Sequence, residues 1–242
     1  MSKKIGVIST VLVIFACILI VLWQIFFSAT TSYYLISAII LVLSLIPIFA
    51  DFEASAPSAR EMSLLAVLIA LAVVSRAVFY LIPQFKPIAA VVIVSAVCLG
   101  ANRGYIVGAF SAFVSNFIFG QGIWTPFQMV ALGVVGFLAG LIFKKIKPTR
   151  VSLSVVGFVL AFAVYGLIVD LSSVLTMVTD YSVEAVLAIY AAGVPFSAVF
   201  GAATAIFLFI FGESFIKKIN RINTKYGIVP TAIKAKNGGA YE

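Results

Sequence analysis

Residues 115–128 read Ser-Asn-Phe-Ile-Phe-Gly-Gln-Gly-Ile-Trp-Thr-Pro-Phe-Gln. The stretch joins two apolar runs through a short connection dense in amide, hydroxyl, aromatic and Gly/Pro residues. Asn116, Gln121, Thr125 and Gln128 bring donors and acceptors without charge, and Phe119, Trp124 and Phe127 bring flat apolar faces, the mixture expected of a small-molecule site. A plainer reading of the same residues makes Trp124 an interfacial belt residue and Pro126 the first residue of a helix. Either way the stretch is a turn between two membrane-crossing helices.

Composition sets the class. Of 242 residues 64% are hydrophobic and 10% charged, against roughly half and a quarter in soluble domains. With a mean hydropathy of +1.24, the chain reads as an all-α polytopic membrane protein. Histidine is absent, which removes a His-based catalytic dyad, a His-ligated metal and a histidine proton relay. Cys17 and Cys98 lie inside apolar runs and read as small buried hydrophobes, so no disulfide framework, metal or cofactor is expected.

Working outward from the turn, the preceding run carries Gly104, Gly108, Ala112 and Asn116 at four-residue spacing. The following one, from Pro126 to Phe143, carries Gly133, Gly136 and Gly140. Both are faces for close helix packing. Upstream, Gly100 to Gly104 turns the chain, the run from Ile88 to Leu99 is short, and Pro83-Gln84-Phe85-Lys86-Pro87 is a stiff extended turn. A span from Glu61 to about Leu81 places Ala66 and Ala70 one turn apart on one face. Before it, Asp51 to Arg60 reads as a polar linker, and the runs Ile5–Phe27 and Tyr34–Ala50 as a hairpin. Downstream, a seventh span from about Val151 to Val178 contains Asp170. An eighth contains Gly193-Val194-Pro195, expected to kink or restart its helix.

This gives about eight transmembrane helices: a hairpin over 1–50, a linker over 51–60, a six-helix core over 61–216 and a basic tail over 217–242. The positive-inside rule puts both termini in the cytoplasm. It also puts three loops on the outer face together: Pro83 to Pro87, Gly120 to Pro126, and Thr179 to Glu184. The net charge of +8 is an orientation signal, because the basic residues are scattered over loops and form no nucleic-acid stripe.

PQFKP, GANRG, SNFIFGQG and WTPFQM, in that order between Pro83 and Phe143, resemble the substrate-binding S component of an energy-coupling factor (ECF) vitamin transporter. The likeness covers roughly residues 61 to 215. It implies a six-helix binding subunit of a bacterial cell-membrane ABC importer, with a membrane coupling subunit (T component) and two cytoplasmic ATPases as partners. It also implies that Ala66 and Ala70 face the coupling subunit and that the S component topples to carry its ligand inward. No Gly-x-x-x-x-Gly-Lys-Ser/Thr phosphate loop occurs, so the chain is not expected to hydrolyse ATP. In the last helix Gly193-Val194-Pro195-Phe196 follows the family, but Ser197, Phe200 and Thr204 stand where polar or ionisable residues often follow.

The ligand-contacting residues expected are Phe85, Lys86, Asn116, Gln121, Trp124, Thr125, Gln128 and Tyr181. Little charge and many amide and aromatic groups favour a bulky, largely uncharged vitamin, cobalamin first, with riboflavin or a queuosine precursor as alternatives. A stand-alone secondary transporter would need intramembrane ionisable groups, for which Arg76 and Asp170 are the candidates. The same two charges also read as a structural pair inside the bundle. An intramembrane enzyme would need a Ser-Lys or paired-Asp arrangement, and neither is visible.

Overall fold

The computed structural model describes residues 2–27, 33–178 and 182–228. They form eight helices: α1 (Ser2–Phe27), α2 (Tyr33–Ser55), α3 (Ala59–Val78), α4 (Ile88–Leu99), α5 (Ala101–Phe119), α6 (Thr125–Ile142), α7 (Arg150–Met177) and α8 (Val183–Tyr226). Five of them, α2, α3, α6, α7 and α8, are long and apolar enough to cross a membrane. The apolar part of α1 and the whole of α4 are shorter, and α5 is diluted by Asn102, Arg103 and Asn116. Every apolar run read from the sequence becomes a helix, and the chain is an all-helical polytopic membrane protein.

Local sequence explains the helix ends. Ser58 accepts a hydrogen bond from the Glu61 amide at 3.2 Å, and Ser182 from the Ala185 amide at 3.1 Å. Thr149 and Ser152 form a reciprocal capping box at the start of α7, satisfying donors the first turn leaves free. Two boundaries differ from those expected. Helix α2 continues through Asp51 to Ser55, so the polar linker shrinks to residues 56–58; Asp51 is held in the helix because its carboxylate finds partners in the core. Helix α8 does not restart at Pro195, which lies inside unbroken α-helix from Val183 to Phe207. The departures from α geometry are π-helical turns at Leu160–Tyr165 in α7 and Leu208–Gly212 in α8.

The centre of the fold is the α5–α6 pair. A Cβ built at Gly108 would collide with the carbonyl oxygen of Leu132, and one at Gly104 would lie 2.7 Å from the carbonyl of Gly136. The two backbones therefore touch, as the small-residue stripes predict. Around them, α3 and α4 cover one side and α7 another, with α8 packed on α7 and α4. On the third side Phe127, Val130 and Val134 of α6 pack with Val13 and Cys17 of α1 and Ile36 and Ile40 of α2.

Helix α2 is fastened to this core at three levels. Ser37 Oγ donates to the Ile123 carbonyl at 2.7 Å, Tyr105 Oη donates to the Ser44 carbonyl at 3.1 Å, and Arg103 pairs with Asp51. Arg103 also donates to Glu61 at 2.5 Å and to Ser55 Oγ at 2.9 Å, and Asn102 donates to Asp51 at 2.8 Å. Asp51, Glu61 and Arg103 are all buried. Paired charges of this kind tolerate a desolvation that none would tolerate singly.

Candidate ligand site

Helix α5 ends at Gly120, whose φ of +98° lies where a residue with a Cβ is strained. The chain then turns through 120–124 into α6, with Pro126 in the first turn. Across this turn Asn116 is a hub, 1% exposed. Its Nδ2 donates to Thr125 Oγ1 at 3.1 Å and to Gln128 Oε1 at 2.8 Å, and its Oδ1 accepts from Arg76 at 2.8 Å. Thr125 Oγ1 donates to Gln121 Oε1 at 2.9 Å and accepts from the Gly122 amide at 3.1 Å. The amides and hydroxyl expected to meet a ligand thus meet one another, binding α5, α6 and α3 into one polar joint.

Arg76 also donates to Ser115 Oγ. It does not pair with Asp170, which corrects the structural pair read from the sequence. Arg76 faces α5 from the last turn of α3, whereas Asp170 packs against Gly193 of α8, where a Cβ would collide with its carboxylate. Tyr165, at the end of the α7 π-turn, stands within electrostatic reach of both charges and stacks on Phe200 with ring centroids 4.4 Å apart.

Beside the polar joint lies an aromatic wall. The rings of Phe79 and Phe85, and of Phe79 and Phe207, meet edge to face at 5.4 Å, and Tyr80 lies 5.1 Å from Phe119. The Arg76 guanidinium sits 4.2 Å from the centre of the Phe119 ring and the Lys86 ammonium 4.7 Å from it. Partial burial and the neighbouring Arg76 charge hold Lys86 below the usual lysine range. An aromatic face attracts such cations by about 0.5–2 kcal/mol each.

The remaining expected residues divide. Phe85 and Lys86 reach the wall. Gln121 is exposed and donates to the Phe113 carbonyl at 3.0 Å. Trp124 is 43% exposed and its ring lies over Gly122. Phe127 turns away into the packing with α1 and α2. Tyr181 lies outside the described residues. Ala66 and Ala70 are exposed on α3 beside Met62, Val67 and Val74, an apolar face of small relief. Phe79, Tyr80, Tyr165 and Phe207 were not anticipated; the one cue was a cluster of aromatics around the Pro83–Pro87 turn.

Comparison with known families matches residues 56–219 to the ECF-type riboflavin transporter, S component. The chain belongs to that family. No curated protein and no solved structure matches it. As an ECF S component the chain is a vitamin-transport subunit of the cell membrane and not an enzyme, and membership implies a T component and ATPases as partners. The match begins at Ala56, beyond the α1–α2 hairpin of this S component. It carries riboflavin in its description and gives no support to cobalamin.

Proposed function

We propose that this S component binds riboflavin beside the Phe79–Phe85–Phe207 wall and Phe119, with that face outward, for uptake driven by partner ATPases. The observation that carries the reading is the family match, which spans the helices supplying every one of these aromatics. Phe79 and Phe85 from the segment after α3 meet Phe207 of α8, and Phe119 of α5 packs on Tyr80, near a hydrogen-bonded polar joint, a setting suited to a planar heterocycle with polar edges. Cobalamin, favoured by composition alone, has no such support. The family match, to a subunit of an ATP-driven importer, favours this reading over a stand-alone secondary transporter.

In the proposed assembly the T component packs on the Ala66–Ala70 face of α3, where small side chains admit a close helix. The basic end of the bundle, with Arg60, Lys144, Lys145 and Arg150, is cytoplasmic. Calorimetric titration of the purified protein with riboflavin and with cobalamin tests the ligand. Saturable binding of riboflavin is expected; binding of cobalamin in its place overturns the reading.

A further inference from the structure

The proposed ligand is uncharged, yet beside the aromatic wall two cations sit on one ring. Arg76 uses Nη1 on Ser115 and Asn116, and its other N–H groups make no hydrogen bond with the described residues. The Lys86 ammonium makes no hydrogen bond or ion pair among them; its contact is the face of Phe119. The described carboxylates do not neutralise either cation. Asp51 and Glu61 are taken by Arg103 at the opposite end of the bundle, and Glu213 by Arg150. Glu53, Asp170 and Glu184 make no ion pair with either cation. Like charges brought together in a partly desolvated place, without a counter-ion, are costly and mark sites of function in membrane proteins.

We propose that the cluster of Arg76, Lys86 and Phe119 receives an acidic group, a phosphate or carboxylate, carried on a soluble ligand with a planar ring system. The inference rests on the ligand-binding reading above and adds the charge of the ligand to it. An arginine with its fork partly unused supplies parallel N–H donors to paired oxygens, and a lysine adds a point charge. Serine and asparagine hold the guanidinium from behind, so the donors are oriented before a ligand arrives. A lipid headgroup offers the same chemistry. The aromatic wall at Phe79, Phe85 and Phe207 favours a ligand with rings.

Riboflavin and riboflavin 5′-phosphate differ only in such a group and test the point. The full chain is titrated calorimetrically with each, in nanodiscs of phosphatidylcholine and of phosphatidylcholine with phosphatidylglycerol. The phosphate is expected to bind at least about tenfold tighter, in both lipids. Lys86→Gln and Arg76→Gln should each bring that ratio below about threefold, and Lys145→Gln, at the far end of the bundle, should leave it unchanged. Lys86 lies in a turn, so its variant remains informative if Arg76→Gln fails to fold. Equal affinities for the two flavins overturn this inference and leave the riboflavin reading standing. Binding of neither overturns both. A preference that vanishes when phosphatidylglycerol is present shows that lipid occupies the cations, and overturns the inference too.

Discussion

Asn116 accepts from Arg76 on one side of its amide and donates to Gln128 on the other, so one buried side chain ties α3 to both arms of the α5–α6 turn. Asn116→Ala removes the partner of Gln128 Oε1 and one of the partners of Arg76 and of Thr125, and each polar atom left unsatisfied costs about 1–3 kcal/mol when buried. Thermal unfolding in detergent should show a fall in midpoint of several degrees, at about 2–4 °C per kcal/mol for a chain of this size. An unchanged midpoint would show that water replaces the amide freely.

Gly108 faces the Leu132 carbonyl with no room for a methyl group. Gly108→Ala must push α5 and α6 apart, and overpacking of this kind costs about 1–3 kcal/mol. The variant should express poorly or melt early. Gly100→Ala, a change with open space around it but a φ of +97°, should destabilise through backbone strain alone and serves as the comparison.

Arg103 satisfies carboxylates from α2 and α3 at once. Arg103→Ala would leave Asp51 and Glu61 buried without a counter-charge, a loss of about 3–5 kcal/mol. Asp51→Asn, which keeps a polar group near Asn102 and leaves Arg103 paired with Glu61, should cost clearly less. Chemical denaturation of the two variants side by side checks the order; equal losses would mean that water reaches the cluster.

Ala66→Trp with Ala70→Trp should abolish co-purification with the T component and ATPases while leaving flavin affinity of the isolated subunit within about twofold. Both alanines are exposed on α3 and distant in sequence from every ring of the aromatic wall except through their own helix. Transport at the parental rate by this double variant would remove α3 as the coupling face.

The helices and the close α5–α6 contact were legible because period and small-residue spacing are properties of one segment at a time. Partnerships between segments distant in the chain were not. Arg76 read as a partner for Asp170 since both are charges in apolar runs, but sequence carries no record of how α3 and α7 are rotated about their axes. Asn116, Gln121, Thr125 and Gln128 were correctly gathered into one cluster by proximity in the chain. What proximity left open was whether their hydrogen bonds point at a guest or at each other. Asp51 was taken for linker because polar residues usually end a span; the charge that keeps it helical sits about fifty positions later, in Arg103.

That separation has a consequence for biogenesis. Ribosomes add about 5–20 residues per second, so Asp51 is joined to the chain several seconds before Arg103 is. The carboxylate near the end of α2 therefore waits for its counter-charge. The polar fastening of α2 to α5 can form only after α5 has been made, and so comes later than the making of the α1–α2 hairpin.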